Sequence, residues 1–172
     1  MNYLNKFRSI TTLIFDIDGV MSDGKILLHP DGFLLRSLSV RDGYSMRIAV
    51  QKGYRIAIIS GGDTPMAIER FTALGIVDIE MRCADKKKAL FDLMEKYNLK
   101  KSEVLYMGDD LPDLEAMREV GLACCPKDAV DEIRDLSVYV SPRKGGEGCV
   151  RDVIEKVLKL KGDWPGYPNL KL

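Results

Sequence analysis

The sequence predicts an α/β protein with a doubly wound parallel sheet covered by helices on both faces. Three observations predict it. Short, mainly apolar runs recur along the chain: TTLIF at 11–15, RIAIIS at 55–60 and VLYMG at 104–108. They lack the apolar–polar alternation of a half-exposed strand and read as strands buried on both sides. Segments with helix punctuation alternate with them, and βαβαβα order demands parallel pairing.

Each element follows from local chemistry. After the strand at 11–15, Asp42 is expected to cap a helix over 43–51, with Gly53 just beyond its end. The strand at 55–60 follows. Thr64-Pro65 opens a second helix and Gly75 closes it, because proline suits the first helical turn and glycine the exit. A third helix is expected from about 85 to 97. After the strand at 104–108, Pro112 opens a helix that Gly121 ends. LACC at 122–125 and VYV at 138–140 read as two short strands with a short helix between them. In the last helix Val150, Val153, Ile154, Val157 and Leu158 share one stripe, the spacing of a core-facing face.

One insertion breaks the alternation. Residues 25–40 read as a hairpin turning at Pro30-Asp31-Gly32. Ile26, Leu27 and Leu28, then Phe33, Leu34 and Leu35, make both of its faces apolar. A lone hairpin is marginal in water, and one small domain covers one of its sides. A subunit interface is therefore expected here, against the alternative of a hairpin folded down on its own domain. The expected organisation is one domain over 1–161, with this hairpin, and an irregular tail over 162–172.

Composition removes whole classes of function. With 172 residues, 46% of them hydrophobic and 30% charged, the chain is long enough for an ordinary core and too apolar for disorder. Lys plus Arg and Asp plus Glu both number 26, and the missing basic excess argues against a nucleic-acid partner. No apolar run approaches the ~18 residues of a membrane helix, and the first residues offer no secretory core, so a cytoplasmic location away from membranes is expected. Cys83, Cys124, Cys125 and Cys149 have no metal or disulfide spacing and read as reduced thiols. His29 is the only histidine and sits in the hairpin turn, which leaves no histidine chemistry elsewhere.

In open parallel sheets, ligands bind at the carboxyl ends of the strands. The polar residues that follow the strands should therefore converge. These are Asp16 and Asp18 with Gly19; Ser60, Gly61 and Gly62; and Gly108, Asp109 and Asp110 with Asp113. Asp85 and Lys86 begin the third helix. Each piece has a bland reading: Asp63 and Thr64 as helix caps, Asp113 as a dipole partner, Lys86–Lys88 as a solvated face. Their order along the chain, each behind a different strand, favours a site. Gathered carboxylates are costly, since two like charges at ~4 Å repel by ~4 kcal/mol at an effective dielectric of 20. A hard divalent cation relieves this, and oxygen-only ligands favour Mg²⁺ over zinc. Mg²⁺, a lysine, a hydroxyl and glycine amides suit a phosphoryl group, and a spare carboxylate can attack it.

FDIDGV at 15–20, Ser60-Gly61, Lys86 and GDDLPD at 108–113 resemble the four motifs of the haloacid dehalogenase-like phosphohydrolases. The resemblance implies a Rossmann-like fold with Asp16 as nucleophile and Asp18 as general acid/base. It implies Ser60, Gly61 and Lys86 on the phosphoryl oxygens, and Mg²⁺ on Asp16, the Asp18 carbonyl and Asp109. Asp110 and Asp113 would orient the metal shell or Lys86. With only the hairpin between the first two motifs, the chain resembles the capless branch. DGVMSDG at 18–24, VRDGYS at 40–45 and GGEGCVRD at 145–152 resemble the group acting on 3-deoxy-D-manno-octulosonate 8-phosphate. That implies a phosphoric monoester hydrolase of lipopolysaccharide biosynthesis and a homotetramer built through the hairpin. A neighbour's hairpin and tail would close the site, with the WPGY segment as a lid. Relatives often carry an arginine after the second-motif glycine, where this chain has Gly62, and glycine four residues before the lysine, where it has Arg82. Arg82 is therefore expected to bind the sugar-acid carboxylate. Nine-carbon sugar-acid 9-phosphates rank second, because the expected Glu–Lys pair is absent at Gly62 and Ala73. A noncatalytic oligomerisation module of the same fold and a phospho-accepting receiver domain are the competing classes.

Overall fold

The computed structural model describes residues 3–63 and 65–166. Six strands form the main sheet: β1 (Thr12–Phe15), β4 (Arg55–Ile59), β5 (Asp78–Glu80), β6 (Val104–Met107), β7 (Leu122–Cys125) and β8 (Tyr139–Val140). Their spatial order is β5-β4-β1-β6-β7-β8, with every pairing parallel. The chain winds outward from β1 to β5, returns to β6 beside β1, and winds out the other way. The crevice at that reversal opens beyond the carboxyl ends of β4, β1 and β6.

The period-2 geometry of the central strands splits the core in two. Leu13, Phe15, Leu105, Met107, Leu122 and Cys124 face one side. There they meet α1 (Tyr3–Ser9), α2 (Val40–Gln51), α3 (Pro65–Ala73) and α7 (Cys149–Lys161). Ile14, Ala57, Val104, Tyr106, Ala123 and Cys125 face the other. That side is closed by α4 (Lys86–Lys96), α5 (Leu114–Met117) and α6 (Asp131–Leu136). The stripe expected on the last helix is buried throughout.

Several details differ from the sequence reading. Helix α1 and strand β5 were not foreseen. The first has little punctuation, and the second carries two acids, as an edge strand tolerates. Helix α2 starts at Val40, so Ser39 rather than Asp42 is the cap, its hydroxyl accepting the Asp42 N–H. Asp42 is instead buried and accepts the Arg151 N–H at 2.7 Å, tying α2 to the start of α7. The helix expected from Pro112 to Gly121 is one tight turn over Leu111–Asp113 followed by the short α5. The start expected at Thr64 and the tail from 167 onward, with its lid role, lie outside the described residues.

The hairpin is as expected in position and unexpectedly short. Strands β2 (Leu27–Leu28) and β3 (Leu34–Leu35) pair antiparallel, with Leu28 opposite Leu34. Gly32 turns the chain at φ 85°, and the His29 ring accepts the Asp31 N–H at 3.3 Å, a turn role. Leu28 is 74% exposed and Phe33 62%. The hairpin therefore does not fold down to bury its apolar side chains on this chain. No helix among the described residues is long and apolar enough to cross a membrane, and all four cysteines are free.

Candidate active site

The residues that end β1, β4 and β6 meet in one cavity of about 280 Å³. Asp16, Asp18, Ser60, Gly61, Lys86, Asp109, Asp110 and Asp113 all line it. Asp16 follows β1 directly, and its N–H still bonds to the Met107 carbonyl at 3.1 Å, so the parallel ladder fixes its position. Gly19, at φ 85°, lets the next turn approach β6. A Cβ there would sit 1.9 Å from Asp109 Oδ2, so only glycine permits the two loops to touch. Gly108 has the same duty, since its Cβ would lie 2.4 Å from the Asp113 side chain.

Lys86 enters from the first turn of α4, where Asp85 caps the helix by accepting the Lys88 N–H at 2.9 Å. Its ammonium is buried. It donates to Asp113 Oδ1 at 2.8 Å and forms an ion pair with Asp16 Oδ1 at 3.0 Å. Burial works against that charge, but Asp113 and Asp16 outweigh it and the lysine pKa rises. Asp113 also accepts the Tyr106 hydroxyl at 2.9 Å and the Asp109 N–H at 3.3 Å. Ser60 is buried, and its hydroxyl accepts the Gly62 N–H at 3.2 Å, shaping the turn after β4.

The carboxylates carry the cost of their crowding. Burial, then the Asp113 charge, lifts Asp16 to a pKa of about 6, with Lys86 opposing. Burial, then Asp16, lifts Asp109 to about 8. Oxygens of Asp16, Asp109 and Asp113 lie within 4.8 Å of one another. Asp113 spends both oxygens on hydrogen bonds. Asp109 Oδ1 is buried with no hydrogen-bond partner, and Asp16 Oδ1 has only the Lys86 ion pair. An orphaned carboxylate oxygen beside a second carboxylate, in an all-oxygen setting, fits a hard divalent cation. Of the residues expected at the metal, Asp16 and Asp109 lie together here. Asp18 was expected there through its carbonyl, and its side chain turns toward the hairpin.

Arg82 is not brought to this cavity. Its backbone has φ 54°, its side chain is 75% exposed, and it pairs with Asp63 outside the site. Arg36 takes the place beside the carboxylates. Sequence reasoning did not single it out. From the end of β3 its guanidinium grips Asp18 with two hydrogen bonds, Nε to Oδ1 at 2.6 Å and Nη2 to Oδ2 at 2.9 Å. The only sequence signal was a lone cation in an otherwise apolar hairpin strand.

The comparisons agree with this geometry. The family model of the haloacid dehalogenase-like hydrolases matches residues 25–121. A 3-deoxy-D-manno-octulosonate 8-phosphate phosphatase of Salmonella typhi is 37% identical over 92% of this chain and 85% of its own. The crystal structure of the Yersinia pestis phosphatase of that name superposes with a TM-score of 0.92 at 34% identity, covering 98% of this chain and 91% of the other. The Moraxella catarrhalis phosphatase, solved with magnesium, phosphate and the sugar acid, gives 0.89 at 36% identity and 92% coverage of both. Sheet order, converging loops and sequence thus lead to one conclusion, that this chain belongs to the haloacid dehalogenase-like hydrolases.

Proposed function

We propose that the chain is a Mg²⁺-dependent phosphatase that hydrolyses a sugar-acid phosphate through an aspartyl-phosphate on Asp16, with 3-deoxy-D-manno-octulosonate 8-phosphate as its substrate. One observation carries this reading: the buried Asp16 carboxylate lies 3.0 Å from the Lys86 ammonium and beside Asp109, in an open cavity. The names of its relatives supply the substrate.

Asp16 attacks phosphorus while the bond to the sugar oxygen breaks, and Asp18 gives that oxygen a proton. Asp18 then takes a proton from water, the water attacks phosphorus, and inorganic phosphate leaves with Asp16 restored. Ser60, Gly61 and Lys86 hold the phosphoryl oxygens. Asp16, Asp109 and the Asp18 carbonyl would hold Mg²⁺, which offsets the carboxylate charge and polarises the phosphoryl group. Asp113 aims Lys86 through its 2.8 Å bond, and Asp110 orients the metal shell. Arg82, facing away with Asp63, has no part in this reading. Residues 1–161 act as one domain in the cytoplasm, and the exposed hairpin joins four copies.

A phosphate-release assay over a panel of sugar phosphates tests the proposal. Sugar-acid phosphates should lead the panel. Excess EDTA should abolish turnover, and Asp16→Asn should lower it on the order of 1000-fold or more. Turnover that survives EDTA, or survives Asp16→Asn, contradicts it.

A further inference from the structure

Arg36 is a cation with an unusual placement. It reaches from the hairpin to Asp18 at the edge of the site, and its side chain is covered rather than solvated. Its Nη1 donates to the Leu34 carbonyl of its own strand at 3.0 Å, which fixes the plane of the fork. The other edge of the fork takes both oxygens of Asp18, at 2.6 and 2.9 Å, and Ser22 Oγ adds a weak contact to Oδ1 at 3.4 Å. A carboxylate that accepts from a guanidinium on both oxygens presents no O–H to a leaving alcohol. The observed pair must open before turnover.

The space around the pair shows what can open it. A Cβ on Gly62 would lie 3.1 Å from both Arg36 Nη2 and Asp18 Oδ2. Glycine at 62 thus leaves the room that the guanidinium occupies, at the rim of the cavity lined by Gly62 and Asp18. Lys86, the cation at the cavity floor, is committed to Asp113 and Asp16. A substrate that brings a carboxylate as well as a phosphoryl group needs a second cation at the rim. A planar fork already engaged with a carboxylate can exchange it for another of the same charge and shape.

We infer that Arg36 is the specificity-determining residue for the substrate's carboxylate: the guanidinium passes from Asp18 to the sugar acid, and Asp18, released, takes a proton from solvent and turns it to the leaving oxygen. This rests on the sugar-acid phosphatase reading above. Substrates without a carboxylate leave Asp18 engaged and turn over poorly.

The test is a selectivity ratio measured in Mg²⁺-loaded protein. We take kcat/KM for a sugar-acid phosphate divided by kcat/KM for a neutral aldose phosphate. Both substrates meet the same folded variant, so a general loss of activity cancels. Arg36→Met should lower the ratio roughly 10- to 100-fold, the span of a charge-assisted hydrogen bond. Arg36→Lys should fall between, because a point charge lacks the fork. A wild-type ratio near one would refute the sugar-acid reading itself. A high wild-type ratio that stays within about threefold in Arg36→Met would leave that reading standing and overturn the inference.

Discussion

Asp113 offers a direct energetic test of the site, because it lies between one cation and two acids. Its Oδ1 is 2.8 Å from Lys86 Nζ, where Coulomb's law at an effective dielectric of 20 gives about 6 kcal/mol of attraction. Asp16 repels it, by about 3.5 kcal/mol at the outer separation of 4.8 Å. Asp109, lifted to about 8, is largely protonated at neutral pH without metal and adds little repulsion. Attraction therefore wins, and the hydrogen bonds from Tyr106 and Asp109 add to it. Asp113→Ala leaves Lys86 buried beside Asp16 alone and orphans the Tyr106 hydroxyl. The expected loss is about 3–5 kcal/mol, as for breaking a buried ion pair. Asp113→Asn keeps the two bonds accepted by Oδ1, loses the charge and sets an amide N–H against the Asp109 N–H, for an intermediate loss of about 2–3 kcal/mol. Urea unfolding followed by fluorescence reads this directly, since the single tryptophan, Trp164, packs beside α7 away from the site. An Asp113→Ala protein as stable as wild type would show that carboxylate repulsion outweighs the lysine pair.

Two further outcomes follow from the same structure. Asp16 at about 6 and Asp109 at about 8 lie above the ordinary range, so the folded state holds their protons more tightly than the unfolded chain. Metal-free protein should therefore lose stability as pH rises from about 4 through about 8, and added Mg²⁺ should raise Tm more at the upper end. A metal-induced Tm shift independent of pH would contradict this. Leu28→Glu with Phe33→Glu places charge on the exposed hairpin. If the hairpin joins copies as proposed, light scattering should show a smaller species than wild type, and an unchanged mass would contradict that role.

Much of the architecture was legible in the sequence because buried parallel strands leave a mark that no exposed element imitates. TTLIF, RIAII and VLYM announced β1, β4 and β6, and the acids behind them lie in one cavity. Strand β5 was hidden because Asp78 and Glu80 break the apolar run at an edge. Helix α1 was hidden because two turns anchored by Phe7 have almost no period to read. Arg36, the cation beside Asp18, was overlooked for a different reason. A search near the second and third motifs by sequence distance favours Arg82, whereas the hairpin carries Arg36 across 18 positions to Asp18. Hairpin reach is set by tertiary packing, which local pattern does not encode.

The nucleophile is the claim on which the rest stands, and trapping it is the most direct measurement. Protein mixed with substrate and Mg²⁺, quenched in hydroxylamine and mapped by mass spectrometry, should carry a hydroxamate at Asp16, because hydroxylamine captures acyl phosphates. Turnover with no modification at Asp16, or with modification at another carboxylate, would contradict the account.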